Sequence, residues 1–203
     1  MTAPGESYTL VLAKEDFKFS SGHFTVFAAD RAELLHGHNY QVAVELCGSR
    51  LDDEDLLTDF GDVKGAVREL CERLDSRTLV PSRSSHLQVV EDADAVEITF
   101  RDRVYRLPAR DVLVLPLINT SIEALARMLW QQLVAALELP RIEILGVNVA
   151  ETAGQSCWYR APVSPHPPGD ASVAQGDARH ATRRATSLST SPGSGNRPVA
   201  FFE

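Results

Sequence analysis

The feature that constrains the fold most is the stretch HGHNYQVAVEL at residues 36–46. Its second part alternates apolar residues with smaller or polar ones: Tyr40, Val42, Val44 and Leu46 stand between Gln41, Ala43 and Glu45. A period of two is typical of an antiparallel strand with one buried and one exposed face. The stretch therefore predicts a long strand and a protein built around a β-sheet.

Histidines begin this strand. His36 and His38 are two residues apart, and His23 lies upstream after the break at Ser20–Gly22. Residues two apart on a strand face the same side, so His36 and His38 project together, and a neighbouring antiparallel strand can add His23. Three imidazoles with an open fourth position are typical of a catalytic zinc site, although iron and cobalt stay possible. The alternative is that these are ordinary strand histidines.

The spacing of apolar residues predicts the remaining elements: strands at 8–19, 142–151 and from Cys157, a β-hairpin within 87–106, and helices from Asp59 to about 74 and from Thr120 to about 137. Residues 120–123 match a capping box, with the Thr120 hydroxyl at the N-cap and Glu123 at N3. The hairpin turn falls either at 92–94 or at 101–103. We expect these elements to form one domain over residues 1–160.

Composition separates this domain from the rest of the chain. Residues 161–203 are rich in Pro, Gly, Ser, Thr and Ala and nearly lack periodic apolar residues, which predicts a disordered tail. The net charge is −8 without a basic patch, so we expect no nucleic-acid partner. We expect no membrane span and no secretory signal. Three widely spaced cysteines favour reduced thiols, and hence a cytoplasmic protein.

The motifs together resemble a known family. FSSGHF, LHGHNYQVAVEL, TDFGDVK and VAET occur in the order found in the 6-pyruvoyltetrahydropterin synthase and 6-carboxytetrahydropterin synthase superfamily. The resemblance covers residues 8 to about 160. It implies an α+β domain with the tunnelling fold, in which two helices pack on one face of an antiparallel sheet and the hairpin is an addition. It also implies a homo-oligomer, commonly a hexamer of two trimers, and a small-molecule pterin substrate, 7,8-dihydroneopterin triphosphate.

The resemblance also implies roles for single residues. His23, His36 and His38 resemble the family's three Zn²⁺ ligands, and Glu151 resembles the acid that anchors the pterin ring. A carboxylate suits the ring N–H and the exocyclic amine, because paired charge-assisted hydrogen bonds are strong. Ser121 falls where the family often has a threonine that contacts the pterin. The alternatives are a surface acid at a strand end for Glu151 and helix capping for Ser121.

The chain departs from the family near the acid–base residues. Well-known members carry a catalytic cysteine shortly before HGH and an Asp-His pair after the first helix, whereas this chain has no such cysteine and has Ser76 after Asp75. Glu33 resembles a variant subgroup in which glutamate replaces the cysteine in an E-x-x-H-G-H arrangement. We therefore expect Glu33, Asp75 and Glu151 as catalytic residues, with His86 as a weaker substitute for the missing histidine. A solvated loop acid is the alternative for Glu33.

The expected function is that of a zinc-dependent pterin lyase or synthase acting on the side chain of 7,8-dihydroneopterin triphosphate. Three products stay open: 6-hydroxymethyl-7,8-dihydropterin, which the variant subgroup is associated with, 6-carboxytetrahydropterin and 6-pyruvoyltetrahydropterin. Because the usual cysteine and histidine are missing, a non-catalytic zinc- and pterin-binding protein of the same fold is the alternative. A zinc-stabilised structural module is a third and weaker hypothesis.

Overall fold

The computed structural model describes residues 5–163. The elements in chain order are β1 (Tyr8–Leu12), β2 (Lys18–His23), β3 (Val26–Ala28), β4 (Arg31–Ala32), β5 (His36–Gly48), α1 (Phe60–Leu74), β6 (Arg77–Pro81), β7 (Gln88–Glu91), β8 (Ala95–Phe100), β9 (Arg103–Pro108), a 3-10 turn (Ala109–Asp111), β10 (Val112–Leu115), α2 (Ile122–Ala136), β11 (Ile144–Thr152) and β12 (Gln155–Pro162). The predicted α+β class is confirmed. The predicted tail lies outside the described residues from 164 onwards, and its first residues continue β12.

The long strand β5 is the centre of a seven-stranded sheet. The strand order is β10-β6-β2-β5-β11-β12, and β1 also pairs with β5. β1 and β2 lie end to end along one edge of β5, with Leu12 opposite Val44 and Lys18 opposite Gln41. The strand predicted at 8–19 is therefore two strands separated by a turn.

One edge of this sheet differs from the antiparallel arrangement that was expected. β6 pairs with β2, and β10 with β6, in parallel. Parallel neighbours need a crossover connection. Between β6 and β10 that crossover is the segment that contains β7, β8 and β9. This long connection allows β6 and β10 to run in the same direction.

Both helices pack on one face of the sheet. Their buried side chains are Val63, Val67, Leu70, Cys71 and Leu74 in α1, and Leu125, Ala126, Met128, Leu129 and Leu133 in α2. They form a core with Val42, Val44 and Leu46 of β5. Because alternate residues share a face, the same side of β5 continues through Tyr40 to the histidines. Neither helix in residues 5–163 has the length and apolar content that crossing a bilayer requires.

Hydrogen bonds define where the helices begin. Asp59 is the N-cap of α1 and accepts from the Gly61 amide at 2.6 Å. The N-cap of α2 is Ser121, whose hydroxyl accepts from the Ala124 amide at 3.4 Å. The predicted capping box is therefore wrong by one residue. Thr120 is buried instead, and its hydroxyl donates to the carbonyl of Phe24 at 3.3 Å.

Residues 88–108 form a separate three-stranded antiparallel sheet, β7-β8-β9, rather than a single hairpin. Both candidate turns exist, because 92–94 joins β7 to β8 and 101–102 joins β8 to β9. We call this unit the insertion sheet. Its buried residues form a second apolar cluster with neighbouring strands: Val96, Ile98 and Phe100 pack with Phe24, Val26, Val80 and Val112. The insertion sheet thus packs against the segment that follows His23.

Candidate metal centre

Strand pairing brings three imidazoles together. His23 lies directly opposite His36 in the β2–β5 pair, and His38 lies opposite Ser21. The ring centroids are 4.8 Å apart for His23 and His36, 5.3 Å for His23 and His38, and 4.7 Å for His36 and His38. The three histidines singled out by their spacing therefore form one compact cluster at the end of the core face of β5.

Backbone carbonyls orient two of these rings. The Nδ1 atom of His23 lies 3.0 Å from the carbonyl oxygen of Thr120, and that of His36 lies 2.8 Å from the carbonyl oxygen of Leu34. These contacts assign the proton to Nδ1 and leave Nε2 with a free lone pair, as in metal-binding histidines. The His23 side chain is buried, and within residues 5–163 no donor binds its Nε2, which faces a carboxylate oxygen of Glu151 at 3.1 Å. A buried lone pair that meets an acceptor instead of a donor fits a metal ligand.

The environment of His23 favours its neutral form. Burial lowers its pKa most, and the neighbouring rings of His36 and His38 lower it further, while Glu151 and the Thr120 carbonyl act in the opposite direction. The net pKa lies below the usual value of histidine. A neutral imidazole is the form that binds a metal ion, so no proton has to be displaced from the buried ring at neutral pH.

Glu151 lies among the imidazoles. A register shift between Ala150 and Thr152 leaves Glu151 outside the regular pairing of β11, and such bulges redirect a side chain. Its Oε1 lies 3.1 Å from Nε2 of His23 and 3.0 Å from Nε2 of His38, while Oε2 accepts from Gln155 Nε2 at 2.8 Å.

The structure places this carboxylate where the sequence predicted an open fourth position. One ligand atom from each of His23, His36, His38 and Glu151 lies within 4.8 Å of the others. Three imidazole nitrogens and one carboxylate oxygen are suitable ligands for tetrahedral Zn²⁺ and also for other divalent ions. The donor set fits a metal ion, and Glu151 can either complete it or give way to a bound molecule.

Tyr40 belongs to the same surroundings, although the sequence pattern assigned it only to the core. Its ring stacks on Phe19 with centroids 4.7 Å apart and meets the edges of His23 and His38. Its hydroxyl is buried, and no group within residues 5–163 makes a hydrogen bond of ordinary geometry with it. Burial, and then the charges of Glu151 and Glu33, raise the pKa of Tyr40. The hydroxyl therefore stays protonated and is available as a donor beside Glu151.

Glu33 lies in the connection between β4 and β5. Its Oε2 accepts from the Thr25 amide at 2.8 Å, and its own amide donates to the Thr25 carbonyl at 2.9 Å. Partial burial raises the pKa of Glu33, but the hydrogen bonds from Thr25 and the nearby rings of His36 and His23 outweigh it, so the pKa lies below the usual value. Glu33 is thus an ionised, hydrogen-bonded carboxylate rather than a freely solvated one.

The other predicted site residues have structural contacts. Asp75 caps the end of α1, and its carboxylate accepts from the Ser20 amide at 2.6 Å and from the Ser76 hydroxyl at 2.8 Å. None of its contacts within residues 5–163 involves an imidazole. Ser121 caps α2, next to the Thr120 carbonyl that orients His23. His86 is not a member of the four-residue cluster.

Comparison with known proteins identifies the family. The sequence profile described as 6-pyruvoyl tetrahydropterin synthase matches residues 12–162. The chain belongs to the 6-pyruvoyl tetrahydropterin synthase family. It is 30% identical over 146 residues to a protein of Methanocaldococcus jannaschii named putative 6-carboxy-5,6,7,8-tetrahydropterin synthase. The match covers 70% of this chain and 89% of that relative. A 6-carboxy-5,6,7,8-tetrahydropterin synthase of Aquifex aeolicus is 26% identical over 62% of this chain and 74% of its own length.

Solved structures of the 6-pyruvoyl tetrahydropterin synthase family confirm the predicted tunnelling fold. The Plasmodium vivax 6-pyruvoyl tetrahydropterin synthase matches with a TM-score of 0.73 and 29% identity over 77% of this chain and 99% of its own. The Plasmodium falciparum protein of the same name matches with a TM-score of 0.73 and 25% identity over 78% of this chain and 99% of its own. Two variants of the P. vivax protein carry alanine or cysteine in place of a glutamate described as a catalytic residue.

Proposed function

We propose that this protein is a zinc-dependent lyase acting on the side chain of 7,8-dihydroneopterin triphosphate or a close relative. The observation that carries the proposal is the cluster of three imidazoles and one carboxylate within 4.8 Å, with the ionised Glu33 beside it. The names of the relatives, 6-carboxy- and 6-pyruvoyl-tetrahydropterin synthase, support a pterin substrate. We also propose a cytoplasmic homo-oligomer, a hexamer of two trimers, on the resemblance of the sequence alone.

In this proposal His23, His36 and His38 hold the metal ion. Bound Zn²⁺ supplies Lewis acidity, which makes hydroxyl groups and adjacent carbons of the substrate side chain more acidic. The hydrogen bonds of His23 to Thr120 and of His36 to Leu34 support this role, because they direct Nε2 away from the backbone. The chain itself has to orient the substrate and to accept and return a proton.

Glu33 is proposed as the base. For side-chain cleavage, its carboxylate removes the proton from the hydroxyl on the second side-chain carbon. That oxygen becomes a carbonyl, the bond between the first and second carbons breaks, and its electron pair passes to the first carbon next to the ring. Protonated Glu33 returns the proton there, which gives 6-hydroxymethyl-7,8-dihydropterin and glycolaldehyde triphosphate. The lowered pKa of Glu33 keeps its carboxylate unprotonated at neutral pH, so it is able to accept a proton. The P. vivax relative with a glutamate described as a catalytic residue supports this step.

Glu151 is proposed as the anchor of the pterin ring. Its two oxygens can accept from the ring N–H and the exocyclic amine. In the structure Oε1 faces His23 and His38 and Oε2 binds Gln155, so ring binding requires Glu151 to leave these partners. Ser121 is a second proposed pterin contact. Asp75 stays a proposal as an orienting acid, since its hydrogen bonds to Ser20 and Ser76 support a structural role more directly.

The decisive experiment is to load the purified protein with Zn²⁺, incubate it with 7,8-dihydroneopterin triphosphate and resolve the products by mass. We expect 6-hydroxymethyl-7,8-dihydropterin together with glycolaldehyde triphosphate. Formation of 6-carboxytetrahydropterin or 6-pyruvoyltetrahydropterin would keep the lyase but change its product. No turnover by metal-loaded protein would overturn the enzymatic proposal.

A second candidate is a protein that binds zinc and pterin without catalysis. It is favoured by one observation, the absence of a cysteine between His23 and His36. This candidate predicts pterin binding with no product, and a Glu33→Gln variant that behaves like the parent protein. A structural zinc module, by contrast, predicts no pterin binding at all.

A further inference from the structure

The insertion sheet reaches the proposed base through one side chain. Arg103 is the first residue of β9. Its Nη1 donates to the carbonyl oxygen of Glu33 at 2.6 Å, and its Nη2 donates to that of Ala32 at 3.4 Å. One guanidinium thus binds two successive peptide groups in the connection that carries Glu33, although 70 residues separate Arg103 from Glu33 in sequence.

Aromatic rings hold this guanidinium in place. Its central carbon lies 4.9 Å from the ring centroid of Phe100 and 5.9 Å from that of Phe24. Both phenylalanines are buried in the apolar cluster of the insertion sheet. Phe24 directly follows His23. Arg103 therefore connects three parts of the molecule: the insertion sheet, the end of β2 that carries a proposed metal ligand, and the connection that carries the proposed base.

Among residues 5–163, no carboxylate lies within ion-pair distance of Arg103. Its hydrogen bonds go to the carbonyl groups of Glu33 and Ala32, whereas the Glu33 carboxylate accepts from the Thr25 amide. A guanidinium can bind two carbonyl groups in a fixed relative orientation, whereas a lysine ammonium lacks this planar fork.

We propose that Arg103 is a positioning residue for Glu33. It holds the backbone at residues 32–33, so that the carboxylate stands at a defined distance and angle from the imidazole cluster. This inference rests on the proposed role of Glu33 as the base. A displacement of about 1 Å at a reacting group can lower a rate by about 100-fold. Loss of the Arg103 hydrogen bonds therefore lowers kcat, while the metal ligands stay in place because the β2–β5 pairing holds them.

The test compares Arg103→Met with Arg103→Lys and with a matched control, Arg106→Met. Arg106 lies on the same strand, but its guanidinium contacts Asp92 and Glu97, and its side chain is 59% exposed. We expect Arg103→Met to lower kcat about 10- to 100-fold with little change in KM or in Zn²⁺ content. Arg103→Lys recovers part of the loss, and Arg106→Met has the activity of the parent protein. If Arg103→Met lowered the melting temperature but left kcat unchanged, the role of Arg103 would be purely structural and the inference would be overturned.

Two further measurements separate this inference from the proposed function. In a Glu33→Gln background, Arg103→Met should have no additional effect on kcat, because the side chain that it positions is already disabled. Hydrogen exchange at the Glu33 amide, which donates to the Thr25 carbonyl, reports the order of the connection without any turnover. We expect faster exchange in Arg103→Met. Unchanged exchange would overturn the role of Arg103, whereas full activity of Glu33→Gln would overturn the proposed base and with it the catalytic part of this inference.

Discussion

The two halves of the candidate site are built by different means. The imidazole half depends on one antiparallel strand pair, in which His23 lies opposite His36. The acid half depends on single contacts to a connection, since Thr25 binds the carboxylate of Glu33 and Arg103 binds its backbone. Regular sheet pairing holds many residues at once, whereas the position of the Glu33 connection depends on a few single contacts and can be lost by changing one side chain. Metal binding and proton transfer should therefore respond to different mutations.

The largest effect is expected from a change in the imidazole half. His36→Ala removes one nitrogen ligand, so the affinity for Zn²⁺ should fall by more than about 100-fold, which is more than loss of an outer-shell partner costs. Metal content after dialysis and competition with a chelator measure this. His86→Ala is the matched control, because His86 lies outside the cluster. Full metal occupancy in His36→Ala would break the assignment of this half.

A change in the acid half should separate activity from metal binding. Glu33→Gln keeps the size of the side chain but cannot accept a proton, so kcat should fall by about 100- to 10,000-fold with normal Zn²⁺ content. Steady-state kinetics and metal analysis of the same preparation measure both. Asp30→Asn, an exposed acid in the turn between β3 and β4, serves as the control. If the activity and metal content of Glu33→Gln fell together, the two halves would not be independent.

Glu151 lies at the junction of the two halves, and Glu151→Gln tests which one it serves. As a ring anchor, it loses charge-assisted hydrogen bonds of about 1.5–3 kcal/mol, so the affinity for a pterin should fall about 10- to 100-fold at saturating Zn²⁺. Equilibrium binding of pterin by fluorescence measures this. A weaker affinity for Zn²⁺ combined with unchanged pterin binding would instead show that Glu151 is a fourth metal ligand.

A smaller effect is expected at the start of α2. Ser121→Ala removes the N-cap acceptor for the Ala124 amide, which should lower the free energy of unfolding by about 0.5–2 kcal/mol. Chemical denaturation measures this loss. Asp59→Ala removes the N-cap of α1 and should be similarly destabilising without changing pterin affinity. A fall in pterin affinity for Ser121→Ala alone would assign Ser121 to the substrate site, and equal affinities would leave it a capping residue.

The smallest effect concerns pH. The folded pKa of Glu33 lies below the ordinary value of 4.5, so its ionised form stabilises the folded state relative to the unfolded chain. This contribution is present above the unfolded pKa and is lost as pH falls through the folded pKa. The free energy of unfolding of Glu33→Gln should therefore fall slightly less steeply than that of the parent protein as the pH becomes acidic. Unfolding free energies measured from neutral to acidic pH check this, and an unchanged slope would contradict it.

Several features of the fold follow from local patterns. The alternation after Tyr40 predicts β5 and its buried face, because side-chain direction in a strand depends only on position along it. Helical spacing predicts α1 and α2 nearly to their ends. The capping-box pattern predicts the N-cap of α2 one residue too early, since Thr120 and Ser121 both carry hydroxyls and only the contact with Phe24 buries the first. The sequence predicts a turn at one of two places in the insertion sheet, but it does not show that both turns form and give three strands.

Local spacing predicts part of the imidazole half of the site: a spacing of two on a strand puts His36 and His38 on one face whatever surrounds them. His23 joins them only through the register of β2 and β5. The tertiary structure alone decided the acid half. It turned Glu151 towards the imidazoles at a bulge of β11, gave Asp75 a contact with Ser20 of β2, and brought Arg103 to the connection of Glu33. The last of these contacts depends on how the insertion sheet packs on Phe24. No local spacing encodes a meeting of residues so far apart in the chain.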